Sequence, residues 1–200
     1  MRVIYADNNA TTQVAAEVYE AMAPFLTGDY FNPSSMYEPA RRTAAAITHA
    51  RSQTAECLGV TDPKQILFTS CATESNNTAI YGTAKANPHR RHIITTAVEH
   101  PAVLEVCRDL QRSGYEVTFL GVDGHGSLDF GEFVHALRPD TLLVSIMHAN
   151  NETGVIFPVA RLSRITKETD PSIVFHTDAT QSVGKVPLRL EQEYRHVDLL

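Results

Sequence analysis

Short apolar runs rich in β-branched residues recur along the chain and alternate with longer segments of mixed polarity. Polar residues, glycine or proline bound each run, which is the pattern of strands buried in a sheet. The predicted strands are 66–69, 92–96, 116–120, 142–147 and 172–176, and 197–200 predicts the beginning of a sixth.

The segments between these runs carry helix signals. Thr12 is a suitable N-cap, Gly59 and Gly114 stand where helices should end, and Pro101 suits a first helical turn. The predicted helices are 13–26, 40–58, 74–86, 101–112, 128–137 and 160–168.

Strands and helices that alternate at this spacing predict βαβ crossovers. The expected fold class is therefore α/β, a three-layer αβα arrangement with a mostly parallel sheet and helices on both faces. In such sheets, ligands bind outside the carboxyl ends of the strands. The search for function therefore begins in the loops that follow the strands.

Two of these loops combine small and polar residues. Loop 70–77 opens a helix, and its small residues and hydroxyl groups suit a phosphate at the positive end of the helix dipole. An ordinary N-cap formed by Ser70 or Thr73 is the alternative. His100 in the next loop is suited to stack on a flat cofactor or to move protons, with an exposed loop histidine as the alternative.

The two loops that follow add amides and a carboxylate. Asn150 and Asn151 either hydrogen-bond a ligand or form an asparagine-stabilised turn in which Gly154 takes a positive φ. Asp178 is either the partner of a protonated ring nitrogen in a cofactor or a helix N-cap. His176 and Asp178 are ligand types of a metal site, but no third ligand is evident, so no metal is expected.

Together these loops offer an anion cradle, an imidazole, amides and a carboxylate at neighbouring strand ends. That set fits a planar, phosphorylated cofactor with a ring nitrogen. Pyridoxal 5′-phosphate is the natural candidate, because its phosphate suits a helix start, its ring a stacking partner and its pyridinium an acid.

Composition narrows the partners and the compartment. The 200 residues have a formal net charge of −6 and lack the clustered Lys and Arg of a nucleic-acid footprint, so no nucleic acid is expected. No apolar run approaches about 18 residues and the start of the chain has no secretory signal, so no membrane association is expected. Cys57, Cys71 and Cys107 are odd in number and widely spaced, which indicates a reducing, cytoplasmic location and no zinc site.

Longer motifs then make the sequence recognisable. They are DNNATT at 7–12, NPSS at 32–35, FTSCATESNN at 68–77, IITT at 93–96 with EHPAVL at 99–104, ANNETG at 149–154 and HTDATQSVGK at 176–185. In this order, over essentially the whole chain, the sequence resembles the cysteine desulfurases of the NifS/IscS type. These are fold-type I pyridoxal-phosphate enzymes of the class V aminotransferase group.

The resemblance implies a role for each matching cofactor residue. Ala72 and Thr73 correspond to the phosphate-binding pair, and His100 to the histidine that stacks on the pyridine ring and assists proton transfer. Asp178 corresponds to the partner of the pyridinium nitrogen, and Gln181 to the donor to the phenolic oxygen.

Two asparagines correspond to residues on the substrate side. Asn151 resembles the residue that contacts the cofactor oxygen and the substrate, and Asn32 resembles one that helps to hold the substrate carboxylate. The implied reaction converts L-cysteine to L-alanine and leaves a persulfide on an enzyme cysteine for iron–sulfur cluster assembly. The implied partners are a second copy of the chain in a homodimer and an iron–sulfur scaffold or other sulfur-acceptor protein.

Alternatives to this reading are a selenocysteine lyase or another class V pyridoxal-phosphate lyase or aminotransferase, and a non-catalytic truncated remnant. The resemblance implies that the chain is the N-terminal half of such an enzyme. Residues 1–15 would form an arm contributing to the small domain, and 16–200 the first part of the large cofactor-binding domain, truncated before the Schiff-base lysine.

None of the lysines or cysteines matches the family's cofactor lysine or persulfide cysteine, so the chain alone is expected to be inactive. The lysines are Lys64, Lys85, Lys167 and Lys185. Cys57 and Cys107 are expected to be buried small hydrophobes within helices.

Overall fold

The computed structural model describes residues 3–200. Its helices are α1 (Ala16–Thr27), α2 (Glu38–Leu58), α3 (Ala72–Ala86), α4 (Pro101–Arg112), α5 (Phe130–Ala136) and α6 (Val159–Thr169). Its strands are β1 (His92–Thr96), β2 (Glu116–Leu120), β3 (Thr141–Ser145) and β4 (Val174–His176). Among residues 3–200, no helix combines the length and the apolar composition needed to cross a bilayer.

The chain divides into two compact units. The first unit comprises the residues up to Cys57 together with Thr61–Ile66, and it contains α1 and most of α2. The second unit comprises Leu58–Val60 and Leu67–Leu200, and it contains the sheet with α3 to α6. All of the predicted site residues except Asn32 belong to the second unit.

The two helices of the first unit differ in how well their ends were predicted. The Thr12 hydroxyl donates to the carbonyl oxygen of Asn8 at 3.0 Å, so it does not cap α1, and Ala15 provides no side-chain cap either. The helix therefore begins at Ala16 and not at residue 13. Helix α2 stops where expected, because Gly59 adopts the left-handed conformation with φ +67°.

The four strands described form one sheet in the order β2-β1-β3-β4, and every pairing is parallel. Ile94 in the middle of β1 lies opposite Thr118 of β2 and Val144 of β3, and Val144 lies opposite Phe175 of β4. Because the pairings are parallel, the carboxyl ends of all four strands face the same edge. The prediction of a mostly parallel α/β sheet is confirmed.

Each face of the sheet buries its own apolar core. The core on the α5 and α6 side includes Ile94, Val144, Phe175, Phe133 and Leu162. The core on the α3 and α4 side includes Ile93, Leu143, Ile80, Val103 and Leu110. Successive strand residues point to opposite faces, so Ile93 and Ile94 serve different cores. The helices therefore cover both faces, as the alternation of strands and helices predicted.

The prediction of a buried strand at 66–69 is wrong. Leu67 is 70% exposed and Phe68 is 48% exposed, and neither belongs to a strand. A strand is made by hydrogen bonds to a neighbouring strand, and no segment within residues 3–200 pairs with this one. The sixth predicted strand, 197–200, is reduced to one parallel bridge between His176 and Leu199.

Side-chain hydrogen bonds shorten two other predicted elements. The Asp129 carboxylate accepts from the N–H groups of Gly131 and Glu132, so α5 begins at Phe130 and not at residue 128. Ser172 donates its backbone N–H to the Asp170 carboxylate at 2.9 Å, which makes a turn where β4 was predicted to begin.

The cysteines are all unpaired, but their burial differs from the prediction at one position. Cys107 is buried in α4, as expected, whereas Cys57 is exposed in α2. A helix turns through about 100° per residue, so membership of a helix does not decide which face a side chain takes.

Candidate active site

Polar groups from two strand ends and one helix start come together in the second unit. Asn76 in α3 donates its amide to the Asp178 carboxylate, which follows β4, at 2.7 Å in a buried contact. The backbone N–H of His148, which follows β3, donates to the carbonyl oxygen of Asp178 at 2.8 Å. These bonds join the carboxyl ends of β3 and β4 to the first turns of α3.

The Asp178 carboxylate is buried and held by three donors. Its Oδ2 accepts from Asn76, and its Oδ1 accepts from the backbone N–H of Thr180 at 3.0 Å and from the Thr180 hydroxyl at 2.6 Å. The segment after Asp178 is a turn, so this residue is not the N-cap of a helix. A carboxylate offers about four acceptor positions, so one remains for a further donor. That remaining position fits the N–H of a protonated ring nitrogen.

His100 is the N-cap residue of α4. Its Nδ1 accepts from the backbone N–H of Ala102 at 3.1 Å, so the neutral imidazole carries its proton on Nε2. The ring is exposed, and Pro101 starts the helix beside it. The helix start therefore sets the tautomer of His100 and leaves Nε2–H directed away from the bond to Ala102.

The start of α3 has the features of an anion site. The helix begins at Ala72, and its N-cap, Cys71, makes no side-chain capping bond to the backbone. The Ser70 N–H and hydroxyl both donate to Glu74, at 2.7 and 2.6 Å, so Ser70 does not cap the helix either. The N–H groups of the first turn, which includes Thr73, thus face the N-terminus without a capping side chain.

Cys71 responds to the same environment. Its exposed thiol has a pKa below the usual value, chiefly because the backbone N–H of Glu74 stabilises the thiolate. The lowered pKa agrees with a helix start that favours negative charge.

The two asparagines after β3 have different environments. Asn150 Oδ1 accepts from the backbone N–H groups of Glu152 and Thr153, at 3.0 and 2.9 Å, while its amide donates to the Val98 carbonyl at 3.1 Å. Gly154 has φ +74°, so the asparagine-stabilised turn is present and Asn150 forms it. Asn151, the residue of the pair that the resemblance singles out, is half-buried.

The remaining predicted site residues are Gln181 and Asn32, and each forms a hydrogen bond within its own turn. Gln181 is half-buried in the turn after Asp178 and accepts from the Lys185 ammonium at 3.0 Å. Asn32 is exposed in the first unit, where its Oδ1 accepts from the backbone N–H of Ser34 at 2.9 Å. In the part of the chain that is described, no group of three or more His, Cys, Asp and Glu residues has a metal-binding arrangement.

Glu99 and Asn76 are site residues that the sequence did not reveal as such. Glu99 is 4% exposed, and its Oε1 accepts from the Thr96 hydroxyl and from the Met147 N–H, both at 2.9 Å. Its other oxygen is buried without a partner. Burial and the charge of Asp178 raise the pKa of Glu99 to about 8, against the two donors on Oε1. The position of Glu99, in a strand-end loop directly before His100, is the sequence signal that could have identified it.

The residues present fit pyridoxal 5′-phosphate. A buried carboxylate with one acceptor position left, an uncapped helix start and an exposed imidazole correspond to its ring nitrogen, its phosphate and its ring face. This fit rests on the donor set of the second unit alone.

Comparison with known proteins identifies the family to which this chain belongs. The aminotransferase class-V family model matches residues 4–199, so the chain belongs to that family. Within it, the chain is 52% identical over 191 residues to cysteine desulfurase 2 of Trichormus variabilis, covering 96% of this chain and 47% of that protein. It is 50% identical over 200 residues to cysteine desulfurase IscS of Dictyoglomus turgidum, covering 100% of this chain and 50% of that protein.

A solved structure agrees with the family assignment. The chain superposes on SspA in complex with cysteine with a TM-score of 0.91 and 37% identity, covering 98% of this chain and 55% of that chain. The match confirms the fold-type I arrangement inferred from the sequence. The chain spans about half the length of the curated relatives that it matches.

Proposed function

We propose that this sequence forms one half of the pyridoxal 5′-phosphate site of a cysteine desulfurase, in which L-cysteine is converted to L-alanine and its sulfur passes to an enzyme persulfide. The observation that carries the proposal is the buried Asp178 carboxylate, fixed by Asn76 and Thr180 with one acceptor position left. The similarity to cysteine desulfurases supports the choice of reaction.

The cofactor, when bound, supplies an electron sink for the carbanion formed at the substrate α-carbon. Asp178 would keep the ring nitrogen protonated, since a carboxylate beside a pyridinium favours the charged ring. Ala72 and Thr73, at the start of α3, would receive the phosphate through backbone N–H groups. Gln181 would donate its amide to the phenolic oxygen.

His100 would stack on the ring and exchange protons with the substrate through Nε2. The bond from the Ala102 N–H occupies Nδ1 and leaves the other nitrogen as the site of proton transfer. Asn151 would contact the cofactor oxygen and the substrate, and Asn32 would help to hold the substrate carboxylate. These two assignments rest on the family motifs.

The sulfur-accepting cysteine of this proposal is not one of the three in this sequence. Burial and the nearby Glu99 raise the pKa of Cys107 to about 12, so its thiol stays protonated and unreactive. Cys71 and Cys57 are exposed, but neither stands at the family's persulfide position.

The proposal extends to partners and compartment. The family resemblance supports a homodimer and an iron–sulfur scaffold or other sulfur acceptor, and the relative named IscS supports the same role. Three unpaired cysteines support a reducing, cytoplasmic location.

The test is titration of the purified protein with pyridoxal 5′-phosphate, followed by visible absorbance, induced circular dichroism and melting temperature. The wild type should bind the cofactor, and Asp178→Asn should bind it about tenfold or more weakly, because a charge-assisted hydrogen bond of about 1.5–3 kcal/mol is lost.

Glu132→Gln is the matched control, since it makes the same acid-to-amide change on the exposed face of α5 in the same unit. It should bind the cofactor as the wild type does. A wild type that shows no bound chromophore and no change in melting temperature would overturn the proposed function.

A further inference from the structure

Glu99 connects two strand ends through a single oxygen. It follows β1, and its Oε1 accepts both from Thr96 at the end of β1 and from the Met147 N–H after β3. His100 is the next residue and caps α4. The Glu99 side chain therefore fixes the turn that carries the His100 imidazole against the end of β3.

The second oxygen of Glu99 indicates the protonation state. Oε2 is buried and has no hydrogen-bond partner. A charged carboxylate would leave half of its negative charge there without a donor, which is costly in a buried position. Within residues 3–200, no cationic side chain forms an ion pair with Glu99.

The charge of Asp178 acts on Glu99, and the two carboxylates receive different numbers of hydrogen bonds. Asp178 receives three hydrogen bonds spread over both oxygens, whereas Glu99 receives two on one oxygen. The charge of Asp178 acts against a second charge at Glu99, and Glu99 has donors on one oxygen only to offset that effect. Glu99 also acts on Cys107 of α4, whose thiol is uncharged because burial raises its pKa to about 12.

We propose that Glu99 is a positioning residue that acts as an uncharged carboxylic acid and holds the His100 turn against β3. Glu99 acts through His100 and does not touch the substrate. The hydrogen bonds of Glu99 and its protonation belong to this chain and do not require the cofactor, so this inference can be tested separately from the proposed function.

The direct test is a carbon-13 NMR titration of the protein labelled at its glutamate carboxyl carbons. The Glu99 resonance is the one that disappears in Glu99→Gln. It should titrate with a midpoint of about 8. The midpoint should fall in Asp178→Asn, because the neighbouring negative charge is removed. A midpoint at the ordinary glutamate value, or one that does not move in Asp178→Asn, would overturn the proposal.

Stability provides a second readout through the difference in bound protons. Between the ordinary glutamate pKa of 4.5 and about 8, folded Glu99 is protonated while the unfolded residue is not. The wild type should therefore lose stability as pH rises across this window. Glu99→Gln stays neutral and keeps an acceptor for Thr96 and Met147, so it should lose less stability over this range. The melting temperature of Glu99→Gln minus that of the wild type should therefore rise from pH 5 to pH 8. The Glu132→Gln control should show no such rise.

The positioning role of Glu99 is tested through the NMR resonances of the His100 imidazole. Glu99→Ala removes the acceptor for Thr96 and Met147, so the His100 imidazole resonances should shift at every pH, and Glu99→Gln should restore them. If Glu99→Ala leaves these resonances unchanged, Glu99 does not position His100. If Glu99→Gln behaves like Glu99→Ala at pH 6, the neutral acid is not the active form.

Discussion

Several buried polar atoms at the carboxyl edge of the sheet lack a hydrogen-bond partner within the described residues. The four unpartnered buried atoms of the described chain belong to Thr95, Glu99, His148 and Thr177. Each of these residues lies near or just after the end of β1, β3 or β4. Native proteins satisfy nearly all buried polar groups, so a concentration of exceptions marks the edge where ligand chemistry is expected.

The buried His176 side chain leads to a prediction of how the free energy of unfolding depends on pH. Its Nδ1 is hydrogen-bonded to the Ser145 hydroxyl at 2.8 Å, and burial lowers the pKa of His176 to about 4 from 6.5. Between these values the unfolded chain binds a proton that the folded chain does not, so stability falls as pH drops from 6.5 towards 4. The loss should reach roughly 3 kcal/mol.

His176→Asn should remove this loss, which urea denaturation at pH 4.5, 5.5 and 6.5 measures as a flatter profile of unfolding free energy. His125→Asn, on an exposed loop of the same unit, is the control and should follow the wild type. Parallel profiles for His176→Asn and the wild type would contradict the prediction. The opposing Glu99 effect is present in all three proteins and cancels in the comparison.

At the scale of elements, helix ends place the chemistry. The uncapped start of α3 leaves N–H groups for an anion, whereas the start of α4 is capped by His100 and fixes that ring. Helix stops are set by glycine, at Gly59 after α2 and at Gly114 after α4. Helix ends therefore have two roles in this fold. The start of α3 offers N–H groups to an anion, and the glycines after α2 and α4 redirect the chain.

Gly59 and Gly114 give a matched pair of substitutions. Both have positive φ, at +67° and +88°, so alanine is strained at either position. A Cβ at Gly59 would also lie 3.0 Å from the Arg189 Cδ and 3.2 Å from its Cα, whereas at Gly114 nothing lies within 4 Å. Gly114→Ala should cost about 1 kcal/mol, and Gly59→Ala about 1 kcal/mol or more beyond that.

Urea denaturation of both variants measures the difference, and the strain of a positive φ largely cancels between them. Equal losses would show that the close approach of Arg189 does not restrict position 59.

At the scale of the whole molecule, the chain has apolar side chains in water in both units. Leu26 of the first unit is 67% exposed, and Leu67 of the second is 70% exposed next to Phe68. Adjacent exposed apolar residues favour association between molecules, because contact removes their surface from water.

Replacing Leu67 with Gln should raise the concentration at which the chain begins to self-associate, as measured by light scattering. Val134→Gln, on a single exposed apolar residue of α5, is the control and should have a smaller effect. An equal effect of the two substitutions would show that Leu67 has no particular part in association.

Much of the fold was predictable, because the signals are local. Alternating apolar runs gave the parallel sheet, Pro101 marked the start of α4, and Gly59 marked the stop of α2. The order of motifs also directed attention to His100 and Asp178. Patterns of this kind depend on residues a few positions apart, and secondary structure forms over the same distance.

The local pattern predicted an apolar strand at 66–69, but strand formation depends on a neighbouring strand that no local pattern supplies. Asn76 and Asp178 are 102 residues apart, and only the packing of α3 against the end of β4 brings them into contact. The protonation of Glu99 depends on burial and on the charge of Asp178. The sequence by itself thus determined the class of fold and the residue types of the site, while tertiary structure decided which of those residues meet and which carry charge, because distances and desolvation exist only in the folded chain.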